Sequence, residues 1–327
     1  MKILERELGA LTYQANQQAT LMLPRNYAYR ILSLKLLANV SVNQTTAGVV
    51  MDSCPAQLVR NIIVRANGRD VIKNYDMETL HRLTQIRMAT RPRIVSLANT
   101  TTTNTVDLEC HALIHFEMWR SVKPIDSLLD SSGLATLELI VTWGAMNDIM
   151  GGAFGGTVTV HAAHLYISSI EAIGVPAGTK FMVNKEYAID STIAAASARH
   201  QVNLPVGNLY RSFVFKTVSD DILVNTIFNG SITLKSGTEV FKERDNYHLQ
   251  MDNKVEYSLE IPVSTIILEN LLVGYYIFEF VKDGRLTECL DTSRLSTLEL
   301  LCSVANPGAA DHLYIYPVEL IVPPVEA

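Results

Sequence analysis

The chain has 327 residues and a mass of 36.2 kDa, room for one large β domain or two domains of ordinary size, each able to bury its own core. Only 18% of residues are charged, against roughly 25% in typical soluble domains, and the net charge of −6 with scattered Lys and Arg excludes a basic face for direct, sequence-specific nucleic-acid binding. The low charge suggests a surface covered in part by partner subunits.

The start carries Lys2, Glu5, Arg6 and Glu7, where a signal peptide needs an apolar core, and no segment reaches the ~18 apolar residues of a membrane span. A soluble product of the cytosol is expected. Cys54, Cys110, Cys289 and Cys302 are widely spaced without a CxxC pair, which suits neither a disulfide framework nor a structural zinc site. They are expected to be reduced and mostly buried.

In chain order, an amphipathic lead-in over 1–22 precedes Leu23-Pro24 and Tyr29-Arg30, which open a strand-like run through Ile31, Leu32, Leu34, Leu36 and Val40. The same pairs return without a gap as Leu204-Pro205 and Tyr210-Arg211. The run from Ile63 through Gly68 to Lys73 matches the run from Ile232 through Gly237 to Lys242. Both read as hairpins whose glycine sits at a positive φ. Asp76 reads as the N-cap of a helix through Leu80, Leu83 and Ile86, with a shorter counterpart from Asp245 to Asp252. A strand over 106–119 is matched loosely by 271–282 through Phe116-Glu117 and Phe278-Glu279.

The longest block spans 129–139 and recurs at 290–300, with eight of eleven positions identical. Each copy is a polar turn followed by Thr-Leu-Glu-Leu, an alternation at the period of a half-buried strand. A final strand carries His164-Leu165-Tyr166-Ile167 in one half and His312-Leu313-Tyr314-Ile315 in the other. Five blocks in the same order make the chain a duplication. The division expected is an N-terminal arm (1–22), a first sandwich (23–170), a linker with room for a short helix (171–203) and a second sandwich (204–327). Longer loops at 39–53 and 144–157 mark the first half. With strands separated by turn signals and few helices, the fold class is all-β, two tandem eight-stranded jelly rolls.

Candidates for chemistry are few. His111, His115 and Glu117 share the parity of one strand, and His161 or His164 could add a later ligand, as in a cupin-like metal site, but the spacing departs from that pattern. His164 and His312, at matched places, point to packing, as do Glu138 and Glu299 on the polar face of the repeated strand. The glycine-rich 151–156 leads into a strand and lacks the Lys-Ser/Thr of a phosphate cradle. No Gly-x-Ser-x-Gly is present. No catalytic, cofactor-binding or metal site is assigned and no cofactor is expected.

Two collinear jelly-roll halves, carried above all by 129–139 and 290–300, resemble the double jelly-roll major capsid proteins of icosahedral viruses, in particular those of membrane-containing phages of the tectivirus, corticovirus and finnlakevirus kinds. The resemblance implies a homotrimer whose six rolls form a pseudo-hexagonal capsomer, found in the virion. Its partners would be further copies of itself, penton and minor capsid proteins, and an internal virion membrane. The alternatives are a bicupin-like metalloenzyme using His111, His115 and Glu117, or a tandem β-sandwich carbohydrate-binding protein.

Overall fold

The computed structural model describes residues 2–43, 49–51, 53–89, 92–97, 105–151, 154–175, 179–257 and 272–322. The chain divides into two compact units, Met1–Trp119 with Pro124–Asn184, and Arg120–Lys123 with Lys185–Ala327.

The first unit has eight principal strands: β1 (Lys2–Thr12), β2 (Gln18–Met22), β3 (Ala28–Asn43), β4 (Val59–Ala66), β5 (Asp70–Tyr75), β6 (Val106–His115), β7 (Leu137–Trp143) and β8 (Thr157–Ile173). They pair antiparallel in two sets, β1-β8-β3-β6 and β2-β7-β4-β5. From β3 onward the chain leaves one set for the other after every element except the β4–β5 hairpin, which is the jelly-roll path.

The second unit repeats this strand by strand. Its strands are β9 (Ile189–Thr192), β10 (Ser197–Leu204), β11 (Leu209–Ser219), β12 (Phe228–Ser236), β13 (Glu239–Asp245), β14 (Tyr275–Glu279), β15 (Leu298–Val304) and β16 (Asp311–Ile321). They pair as β9-β16-β11-β14 and β10-β15-β12-β13, the spatial order of the first unit with every strand replaced by its counterpart. Even the two-residue strands correspond: Leu129–Asp130 pairs with β3 and Leu290–Asp291 with β11. The expected all-β double jelly roll is the observed architecture.

Alternation builds the core. In β7, Leu137, Leu139 and Val141 are buried, and in β15 Leu298, Leu300 and Cys302 are buried, so the Thr-Leu-Glu-Leu repeat faces inward on its leucines, as its period requires. In the second unit these join Phe213, Phe215, Phe278 and Leu313 from the facing set. All four cysteines are free, and Cys289 alone is half-buried.

The division of the chain differs from the expectation at both seams. Residues 1–22 supply β1 and β2, and 171–203 holds the end of β8, the strand Val183–Glu186, β9 and most of β10, with no helix among its described residues. The extra length of the first half lies partly in longer strands, 16 residues in β3 against 11 in β11 and 17 in β8 against 11 in β16. The two expected loops also meet, since Val49–Val50 pairs with Met150–Gly151. Within the glycine-rich run, 152–153 lie outside the described residues.

Among the described residues each unit has one α-helix, α1 (Met77–Met88) and α2 (Asn246–Glu256), both where expected. Their N-caps are Asp76, which accepts from Thr79 N at 2.6 Å, and Asp245, which accepts from Tyr247 N at 3.0 Å. No helix among the described residues is long and apolar enough to cross a membrane.

Candidate functional site

At one corner of each unit the Leu-Pro and Tyr-Arg blocks act together. The Tyr29 hydroxyl donates to the Pro24 carbonyl at 2.6 Å, and Tyr210 donates to Pro205 at 2.9 Å. Burial pushes both phenols up. The next residue forms an ion pair, Arg30 with Glu117 at 2.7 Å and Arg211 with Glu279 at 3.5 Å.

Strand pairing corrects the sequence alignment here. Ile31 lies opposite His115 and Ser212 opposite Glu279, so Glu279 occupies the place of His115, and the Phe-Glu match runs two residues out of register. In both copies the arginine is the extra residue of a β-bulge, skipped between Ile31 and Tyr29 against β8 and between Ser212 and Tyr210 against β16, and a bulge re-aims its side chain, so the ion pair recurs although the acids stand two positions apart.

The cupin-like constellation does not converge. His111 Nε2 lies 2.6 Å from Glu109 Oε1, and this contact is the first cause holding the Glu109 carboxyl below its ordinary value. His115 is buried with its ring 6.4 Å from that of Trp119, edge on. Glu117 is engaged by Arg30. His161 contacts Ser41 and His164 contacts Thr12, while His312 contacts Asp190 at 2.9 Å. No group of three His, Cys, Asp or Glu among the described residues is placed to hold a metal ion.

Glu138 and Glu299 make the same cross-strand contact, to Arg65 at 2.7 Å and to Lys235 at 3.6 Å. Here too the alignment is corrected. Leu139 lies opposite Val64 and Leu300 opposite Leu234, so the hairpin strands correspond with Val64 at Leu234 and Arg65 at Lys235. That is one residue away from the ungapped match of Ile63 with Ile232. The first turn takes the difference: Asn67 and Gly68 both have positive φ, as in a type I′ turn, whereas Gly237 alone does in the second, as in type II′.

Each helix closes a sheet edge through a residue that sequence reading missed. Thr84 lies eight residues after its N-cap and its hydroxyl accepts from Leu113 N at 2.9 Å. Asn253 lies eight after its own N-cap, accepts from Ile277 N at 2.8 Å and donates to Ile277 O at 2.8 Å. Leu113 and Ile277 are equivalent by the pairing above, so both helices dock on the same point of the roll. The equal offset from Asp76 and Asp245 was the available signal.

Beside α2 lies a cleft of about 420 Å³ lined by Lys242, Arg244, Asp252, Glu256, Glu279 and Lys282 among others. Burial, then the cations Lys282 and Arg244, bring the Lys242 ammonium down to about 8, opposed by Glu279. It donates to the Glu279 carbonyl at 2.6 Å and lies 5.5 and 5.4 Å from the ring centres of Phe278 and Phe280. Burial pushes the Glu279 carboxyl up, against Arg211 and the Tyr257 hydroxyl, which donates to it at 2.8 Å. At the rim Arg244 pairs with Asp252 at 3.0 Å and Lys282 with Glu256 at 3.8 Å. These groups are spent on one another. The arrangement ties the α2 side of the roll together and aligns no nucleophile with a base.

The whole backbone matches solved structures of one kind. It superposes on the STIV MCP with a TM-score of 0.76 and 17% identity, over 99% of this chain and 98% of that one. A chain from the atomic structure of Sulfolobus Turreted Icosahedral Virus gives 0.75 at 17% identity, over 99% and 92%. The major capsid protein P2 from bacteriophage PM2 gives 0.60 at 12% identity, over 99% and 100%. No protein-family model matches the sequence, and no curated protein sequence matches it. The shared property is the double jelly-roll fold from end to end.

Proposed function

We propose that this chain is the major capsid protein of an icosahedral virus, with a structural rather than an enzymatic role in the virion shell. The observation that carries the reading is the two-way match: 99% of this chain superposes on 98% of the STIV MCP, so each of the two rolls has a counterpart there. The duplication gives the physical logic. Two similar but unequal rolls per chain, taken three times, offer six similar sides, so a trimer with simple cyclic symmetry can tile as a hexagon. Homotrimers, penton and minor capsid proteins as neighbours and an internal virion membrane belong to this reading.

The test is mass in solution with negative-stain images of the purified full chain. The expected result is a stable trimer near three times 36.2 kDa with hexagonal outline. A chain that stays monomeric at all concentrations and never forms capsomers or shells overturns the reading.

A further inference from the structure

The helices α1 and α2 start from equivalent N-caps and dock on equivalent strand residues, yet their outer faces differ. Counting two, six and ten residues from the N-cap gives Glu78, Arg82 and Ile86 on α1, all buried at 7%, 7% and 1% exposure. The same positions on α2 are Tyr247, Met251 and Val255, exposed at 73%, 58% and 80%. Their spacing of four puts them in one stripe along the helix. Charge is thus buried in the first unit where apolar surface is exposed in the second, the reverse of what solvation alone would select.

We infer that the Tyr247, Met251 and Val255 stripe of α2 is the face by which one copy of this chain docks against the first unit of a second copy. The inference rests on the capsid reading above. Three observations support the occupant. The equivalent face of the first unit is covered within the chain, so a duplicated build leaves one such face per chain to be covered by another. Contiguous exposed apolar surface marks interaction sites. Finally, two charged pairs beside the stripe are neutralised in place, Arg244 by Asp252 and Lys282 by Glu256, so covering those four groups strands no lone charge among them.

A stripe of three residues is smaller than the ~800 Å² per partner of a stable interface. The adjoining β13, paired only with β12 among the described residues and carrying half-exposed Val240, extends it. Contact between unlike faces is head-to-tail, and head-to-tail contacts close into rings. Docking of α2 on α2 would instead give a two-fold dimer.

The experiment compares full-length wild type with Met251→Asp and Val255→Asp by mass in solution. It also places a photo-crosslinking residue at position 251. All three positions matter only on the surface, so each aspartate variant should keep the wild-type circular dichroism and melting while self-association weakens at least 100-fold. The crosslink should join position 251 to a peptide between residues 2 and 184 of another copy. Folded aspartate variants that remain trimers overturn the inference and leave the capsid reading standing, as does a crosslink to α2 of another copy. A wild type that never associates overturns both. If an aspartate variant fails to fold, the crosslink decides alone, and its absence in an assembled wild type overturns the inference.

Discussion

At the scale of single residues, the most demanding side chains are those that satisfy a sheet edge. An unpaired backbone group shut away from water costs about 1 to 3 kcal/mol. Thr84 serves one such group, the N–H of Leu113, and Asn253 serves two, the N–H and carbonyl of Ile277. Thr84→Val is therefore expected to cost about 1 to 3 kcal/mol, and Asn253→Leu more, by denaturant midpoints with the slope unchanged. Equal, negligible losses would mean that water reaches both edges. Lys242 supplies a pH signature. With the folded ammonium at about 8 and the unfolded one near about 10.4, the unfolded chain binds more protons between these values, so this group makes stability rise with pH across that window. Glu279 works the other way: its raised carboxyl makes stability fall as pH climbs from the ordinary range near about 4.3. Lys242→Met should remove a rise of up to about 3 kcal/mol between pH 8 and 10, read from unfolding midpoints. A wild type and variant with parallel profiles over that range would refute it.

Among elements, legibility followed burial. The strand 137–143 was readable because one face is wholly buried, and its leucines stand at period two. Leu137→Asp or Leu298→Asp puts a carboxylate where exposure is 0% or 1%, and is expected to abolish folding, seen as loss of soluble protein, since such burial costs more than the few kcal/mol a domain has to spare. Glu138→Gln should change stability by no more than about 1 kcal/mol, because its partner Arg65 is partly solvated. The strands that went unread, β1, β2, β9 and β10, bury little: Leu11 alone in β1, nothing in β2 or β9, and Val202 and Leu204 in β10. With so few side chains buried on either face, these strands carry no strong apolar alternation, so charges in β1 read as a lead-in and the small residues before β10 as a linker. The hairpins show a different limit. Matching glycines to glycines slipped the strands by one, and a one-residue slip sends every side chain to the opposite face. Turn type, I′ in one copy and II′ in the other, absorbed the difference, and no ungapped comparison contains that information.

For the whole molecule, the duplication is visible in sequence but its boundary is not, because the chain is not two consecutive segments. Residues 120–123 lie in the first half by number and in the second unit in space. There Arg120 donates to the Glu256 carbonyl at 2.9 Å with its guanidinium 5.3 Å from the Tyr257 ring centre, the Ser121 hydroxyl donates to the Gly284 carbonyl at 3.0 Å, and Val122 N donates to the same carbonyl at 3.0 Å. The point of closest approach is Gly284, whose φ is +76° and where a Cβ would stand 2.8 Å from the Arg120 carbonyl. Both facts require glycine, one for the backbone and one for the space. Gly284→Val should therefore cost about 2 to 4 kcal/mol and strip hydrogen-exchange protection from Val122. Gly133→Ala tests whether the effect is specific. Its Cβ would meet nothing within 4 Å, and its counterpart in the repeat is Arg294, so a change within about 0.5 kcal/mol is expected. Protection at Val122 that survives Gly284→Val would show that residues 120–123 are held by something other than this contact.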